Sequence, residues 1–123
     1  MIREEKPRED STRVDSLSAE TRDELHRVLS WQLCRRTLTY LLENNESTVD
    51  ELAEVLCGWE AADGVVSAER YRQIRITLHH QHLPRLAMAG LVRYTPEDNH
   101  VVLADIDAPR REFLQQYLEL EPE

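Results

Sequence analysis

The stretch that decides the fold is His82-Leu83-Pro84-Arg85-Leu86-Ala87-Met88-Ala89-Gly90-Leu91-Val92, because the character of the sequence changes within it. Before Gly90 the apolar residues keep helical spacing, whereas short extended segments follow it. Gly90 tolerates the left-handed backbone that ends a helix, and Leu91 and Val92 can then enter the core. The stretch predicts a helix that leads directly into a β-strand.

Upstream of this junction, cap residues and apolar stripes predict four helices. Ser18 can cap a first helix that runs to Leu29, and a second spans Trp31 to Asn44. Thr48 and Glu51 fit a capping box that opens the third. Ser67 can cap the longest helix, about residues 67–83, which should kink or restart near Pro84 because proline cannot donate the backbone hydrogen bond.

Downstream of the junction, the sequence predicts a hairpin and one more helix. Residues 91–94 and 101–103 read as two strands, with Glu97 and Asp98 at the tip between them. Pro109 can open a final helix with one apolar stripe. That helix can fold back on the first helix or pair with its twin, and we expect pairing, through Phe113, Leu114, Tyr117 and Leu118.

The junction resembles the H-L-x-x-L-x-x-A-G-L-V sequence of arsenic-repressor-type winged helices. Residues 48–56 resemble the support helix of that family. Residues 29–42, with their Arg-Arg pair, resemble the opening helix of small haloarchaeal winged-helix proteins of uncharacterised function. The resemblance implies a mainly α fold with a small β-hairpin: a winged helix-turn-helix with an extra N-terminal helical segment and a C-terminal amphipathic helix. We expect a mobile tail over residues 1–16, the domain over 17–104 and the last helix over 105–123.

The charge of the chain is −9, and its basic residues are fourteen arginines and one lysine, Lys6. This balance is similar to that of halophilic proteins, although it also fits a simply acidic protein. No apolar run is long enough to span a membrane and the N-terminus lacks a secretory pattern, so we expect a cytoplasmic protein. Cys34 and Cys57 fall in helical apolar patterns and suit a reducing compartment, with a disulfide as the alternative.

Five arginines and a single glutamate within residues 65–95 make a local charge of +4, here called the arginine island. With the resemblance, it implies binding of duplex DNA by a transcriptional regulator whose helix 67–83 lies in the major groove. We expect base contacts from Arg72, Arg75, Ile76, His79 and His80, and phosphate contacts from Arg70, Arg85 and Arg93. Arg35 and Arg36 could touch the DNA backbone or make intramolecular ion pairs.

Other functions are weighed against DNA binding. A protein-interaction module without DNA affinity fits the overall −9 charge and the acidic hairpin tip. His79 and His82 suggest a metal site, but further ligands are not evident, so we expect no metal. We expect no cofactor and no small-molecule ligand. With no glycine-rich phosphate loop or nucleophile motif, we do not expect an enzyme.

Overall fold

The computed structural model describes residues 17–61 and 64–119. Its helices are α1 (Ala19–Leu29), α2 (Gln32–Asn44), α3 (Val49–Glu60), α4 (Ala68–Thr77), α5 (Leu83–Met88) and α6 (Ala108–Glu119), and its strands are β1 (Glu46–Thr48), β2 (Val92–Thr95) and β3 (His100–Leu103). A π-helical turn, Leu78–His82, joins α4 to α5. The tail predicted over residues 1–16 lies outside the described residues.

Three helices begin at the capping residues that the sequence predicts. The hydroxyl of Ser18 accepts from the backbone amide of Thr21 at 3.1 Å. Thr48 and Ser67 do the same for α3 and α4, at 3.0 and 2.9 Å. Each hydroxyl satisfies one amide that a helix start leaves without an intrahelical partner. The Glu51 carboxylate accepts from the hydroxyls of Ser47 and Tyr40, both at 3.2 Å.

The long helix predicted over residues 67–83 is interrupted, which corrects its expected continuity. The π-helical turn ends at His82, two residues before Pro84, and the amide of Leu83 bonds back to the carbonyl of Leu78. A regular helix would need an amide at Pro84, which proline lacks, and the wider turn removes that requirement. The interruption begins at Leu78, six residues before Pro84, and the α-helix restarts at Leu83, which confirms the predicted kink or restart near the proline.

Gly90 ends α5 as the sequence predicts, with a backbone φ of 78°. The amide of Leu91 bonds to the carbonyl of Leu86 and that of Gly90 to Ala87, both at 2.9 Å. These two bonds form a Schellman motif, and Leu91 and Val92 are buried directly after it. The chain therefore turns from helix to strand within two residues.

The three strands form one antiparallel sheet in the order β1-β3-β2. The hairpin of β2 and β3 confirms the prediction, and its tip is a short 3₁₀ turn, Pro96–Asp98, closed by Asn99 with a φ of 57°. Strand β1 was not predicted; it pairs Ser47 with Val101. Along the chain, α2 is followed by β1, α3, the segment from α4 to α5 and the hairpin. This is the order of elements in a winged helix, and the β2–β3 hairpin is its wing. The fold is thus mainly helical, as expected.

Helix α6 closes the core of its own chain. Phe113 and Leu114 are buried with the leucines of α1 and α2, and the imidazole of His26 on α1 makes edge contacts with Phe113 and Tyr117, with ring centroids 5.2 and 5.9 Å apart. Of the two arrangements considered, α6 takes the folded-back one. Phe113 and Leu114 are therefore placed in the core and not, as expected, on a surface that could join two chains.

Two further observations concern the whole described chain. Both thiols, Cys34 and Cys57, are free and buried, and burial raises the pKa of the Cys34 thiol to about 12. Among residues 17–61 and 64–119, every helix is too short or too polar to cross a membrane.

Candidate nucleic-acid interface

The outward face of α4 and the π-helical turn carries three of the predicted contact residues. Arg72, Ile76 and His80 are exposed, and the Ile76 side chain keeps 54% of its surface accessible. Their four-residue spacing follows one side of a helix, while Ile74 and Leu78 on the opposite side are buried. These three residues, here called the α4 face, are presented together to solvent.

Two residues that the sequence analysis did not select lie on the same face. Glu69 and Gln73 are exposed, and they lie three residues before Arg72 and Ile76, respectively. Glutamine can pair with adenine in the major groove and glutamate can accept from cytosine. Both residues lie at helical spacing from Arg72 or Ile76, which is the signal in the sequence that could have identified them.

Arg70 is engaged within the chain. Its guanidinium donates two hydrogen bonds to the carboxylate of Glu60 at the end of α3, at 2.7 and 2.8 Å. These bonds hold the pKa of Glu60 below its usual range. Because both groups are partly exposed, the pair adds little stability, but it ties Arg70 to the end of α3. The Arg70 guanidinium also donates to the side-chain oxygen of Gln73 at 3.2 Å, within α4 itself.

Arg75 is engaged in the same way. Its guanidinium bonds to the carboxylate of Asp50 in the first turn of α3, and this hydrogen bond keeps the pKa of Asp50 below its ordinary value. With Asp50 and Glu60 counted, the charge of the arginine island falls from +4 to +2. The structure thus divides the island into arginines paired with α3 and arginines left to solvent.

His79 faces the wing. Its Nδ1 lies 2.5 Å from the phenol oxygen of Tyr94 on β2, and the two rings meet edge to face. Beside this contact is a cavity of about 270 Å³ between the π-helical turn, the wing and the start of α3, lined by Val49, Arg75, His79, Tyr94, Pro96 and Asn99. The imidazole of His79 thus joins the π-helical turn to the wing, and its expected role as a base contact stays a prediction.

The remaining arginines of the island lie apart from each other. The Arg85 guanidinium stacks over the ring of Trp31 at 4.2 Å from its centroid, on the side of the domain formed by α1 and α5. Arg93 on β2 is exposed. At the tip of the wing, Glu97 and Asp98 are exposed as well, so the wing offers one cation and two carboxylates to a partner.

Arg35 and Arg36 take up intramolecular positions. Arg35 donates to the carbonyl of Leu29 at 2.8 Å, which closes the α1–α2 junction. One terminal nitrogen of Arg36 is buried without a hydrogen bond, and the charge of Arg36 contributes to lowering the pKa of Glu60. These are contacts within the chain, but they are not ion pairs, so both roles expected for the two arginines stay predictions.

The two histidines considered as metal ligands have different surroundings. His82 is buried, its Nδ1 lies 3.3 Å from the carbonyl of Thr77, and its ring meets the edge of Trp31. His79 instead bonds to Tyr94. Over the described parts of the chain, His, Cys, Asp and Glu side chains form no group of three that could hold a metal ion.

Comparisons with known proteins place the chain in a family. No curated protein and no solved structure matches it. One family model matches residues 26–102, from the middle of α1 through most of β3, and so covers the winged helix but not α6. Since the match extends over more than half of the 123 residues, the chain belongs to the DUF7344 family, a domain of unknown function.

Proposed function

We propose that this protein binds duplex DNA as a transcriptional regulator, with α4 in the major groove and the wing beside it. The observation that carries the proposal is the α4 face, on which Arg72, Ile76 and His80 are presented together while Arg70 and Arg75 are tied to α3. A recognition helix needs such an outward row, since its side chains must reach base edges without unfolding the domain.

The chemistry of the α4 face suits the major groove. The Arg72 guanidinium can donate two hydrogen bonds to guanine, and the exposed side chain of Ile76 offers an apolar contact for the thymine methyl group. His80 adds a polar group one turn further along. Arg93 on the wing can meet a phosphate, whereas Glu97 and Asp98 at the tip repel the DNA backbone. The proposed footprint is therefore α4 and strand β2, without the wing tip.

The proposal includes a salt-adapted, cytoplasmic origin and a relation to haloarchaeal and arsenic-repressor-type winged helices. It is supported by the sequence of the junction around Gly90, by the net charge of −9 and by the preference for arginine over lysine. In concentrated salt the Debye length falls to about 3 Å, so repulsion between DNA and the acidic surface is confined to close range. Direct contacts from the α4 face then dominate affinity.

A second candidate function is a protein-interaction module without DNA affinity. It is favoured by large apolar side chains that remain exposed away from the α4 face, among them Trp31, Trp59 and Met88. The two functions differ in their response to random-sequence duplex.

Titration of fluorescent duplex with the intact chain at several potassium chloride concentrations separates the two candidates. DNA binding predicts a measurable affinity. The logarithm of the binding constant should fall linearly with the logarithm of the salt concentration, because bound protein releases condensed counterions. An absence of binding at every salt concentration would favour the interaction module.

A further inference from the structure

A surface on the α1 and α5 side of the domain has no role in the proposed DNA contact. It has an apolar centre with charged groups around it, and it lines an open surface cavity of about 360 Å³. We call it the Trp31 patch; its residues are Glu24, Arg27, Val28, Trp31, Arg85 and Met88. None of these belongs to α4, the segment proposed to enter the DNA groove.

The apolar centre of the Trp31 patch is open to solvent. Met88 at the end of α5 keeps 86% of its surface accessible, and Trp31 keeps 37%. Trp31 is nevertheless held in place, with the Arg85 guanidinium over its ring at 4.2 Å and the His82 ring at its edge. A fixed aromatic ring beside a protruding methionine is typical of an interface centre, since little rotamer freedom remains to be lost by the ring.

The charges of the patch indicate what covers it. Glu24 and Arg27 lie one turn apart on α1, and among the described residues neither side chain has an ion-pair partner. With Arg85 they give the patch a charge of +1, on a chain whose total charge is −9. Two copies of so acidic a protein repel each other least where their surfaces are locally neutral or positive.

We propose that the Trp31 patch binds a second copy of this chain about a two-fold axis. Such an interface is self-complementary. If one residue contacts a second residue on the partner, the same contact is made again with the two copies exchanged. An axis passing between Glu24 and Arg27 sets Glu24 of each copy against Arg27 of its partner. The Trp31 and Met88 side chains of each copy then pack against the partner on either side of these ion pairs, and both α4 faces stay uncovered.

This arrangement is independent of DNA binding and differs from a dimer built on α6. Phe113 and Leu114 are enclosed in their own chain, so the exposed apolar surface that remains for pairing on this side is that of Trp31 and Met88. An acidic partner protein on the same patch would be attracted by Arg27 and Arg85 but would find the carboxylate of Glu24 unfavourable. A second copy pairs each Glu24 with an Arg27 of the partner, while Arg85 keeps its contact with the Trp31 ring.

Sedimentation equilibrium of the intact chain without DNA tests the proposal, at one salt concentration high enough to screen the net charge. We expect a monomer–dimer equilibrium with a dissociation constant below about 1 mM. Met88→Asp should weaken the dimer by roughly tenfold or more, since it places a carboxylate at the apolar centre. The matched control is Val65→Asp, which adds the same charge at another exposed apolar residue, 70% accessible, and should change dimerisation less than about twofold.

Charge reversal tests the pairing itself. Glu24→Arg or Arg27→Glu alone brings like charges together and should weaken the dimer several-fold, whereas the double variant exchanges the two signs and should restore it. Circular dichroism checks that every variant is folded. A monomer throughout the concentration range, a dimer that tolerates Met88→Asp, or a double variant no better than the single ones would overturn the proposal.

Discussion

The imidazole of His79 and the phenol of Tyr94 share a hydrogen bond that joins the π-helical turn to the wing. The two residues are fifteen positions apart in sequence and belong to different elements, so this contact fixes how the wing stands relative to the proposed recognition helix. A winged helix that binds DNA with both elements depends on that angle, because a small displacement separates one of them from its groove.

Removal of the Tyr94 hydroxyl should loosen the wing. Tyr94→Phe deletes a half-buried hydrogen bond and is expected to lower the free energy of unfolding by about 0.5–1.5 kcal/mol, measured by urea denaturation. Tyr117→Phe is the control, since that hydroxyl makes no hydrogen bond to the described residues and its loss should have little effect. Equal stability of the two variants would mean that the His79 contact does not hold the wing.

Stability should fall as the pH drops below about 6.5 because of His82. Burial, the largest cause, lowers the pKa of this imidazole below 6.5 in the folded chain. The unfolded chain therefore binds a proton at a pH where the folded chain does not. The full stability is present above pH 6.5 and is lost progressively as the pH falls toward the folded pKa.

Urea denaturation from about pH 7.5 to about pH 5.5 measures this loss, and His82→Phe should reduce it. Asp50 and Glu60 do not interfere, since their lowered carboxyl pKa values affect stability only below their ordinary values of 3.8 and 4.5. If the variant has the same pH dependence as the natural sequence, the titrating group lies elsewhere.

Truncation of Phe113 should destabilise the monomer. Because this ring is buried between α6 and the rest of the core, Phe113→Ala is expected to cost about 3–5 kcal/mol, whereas Leu118→Ala, at a partly exposed position, should cost less. Thermal melts at several protein concentrations provide the measurement. A loss that depended on protein concentration would instead indicate that α6 joins two chains.

The local features of this fold could be predicted from the sequence, whereas its long-range contacts could not. Ser18, Thr48, Ser67 and Gly90 act on the backbone within a few residues, and each was identified correctly. Strand β1 depends on pairing with β3, more than fifty positions away, and its three residues carry no strand pattern of their own.

The same division applies to the candidate interface. The arginine island was visible as composition, but its separation into paired and exposed arginines depends on where α3 places Asp50 and Glu60. A helical pattern shows that Arg70 and Arg75 lie outside the core; it does not show which carboxylate stands opposite. Arg72 and Ile76 remain predicted contact residues because nothing in the described chain covers them.

Salt should stabilise the folded chain. The net charge of −9 repels itself most strongly in the folded state, and added ions screen this repulsion. We expect the melting temperature to rise steadily with potassium chloride concentration. A melting temperature indifferent to salt would remove the interpretation of the composition as salt adaptation.

The most direct test of the central claim is the salt dependence of duplex binding by the variant Arg72→Ala with Arg93→Ala, compared with the intact chain. Arg111→Ala on α6 is the control for the loss of an arginine on an element outside the proposed footprint. Arg72 and Arg93 are exposed, so each of these substitutions should change stability by no more than about 0.5 kcal/mol, and folded protein is compared with folded protein.

If α4 and β2 contact DNA, the double variant should bind at least about tenfold more weakly. The slope of the logarithm of its binding constant against the logarithm of salt concentration should be smaller in magnitude by about 1 to 2. Arg111→Ala should leave the affinity within about twofold. An unchanged affinity and slope in the double variant, or an equal loss in Arg111→Ala, would contradict the assignment of this face to DNA.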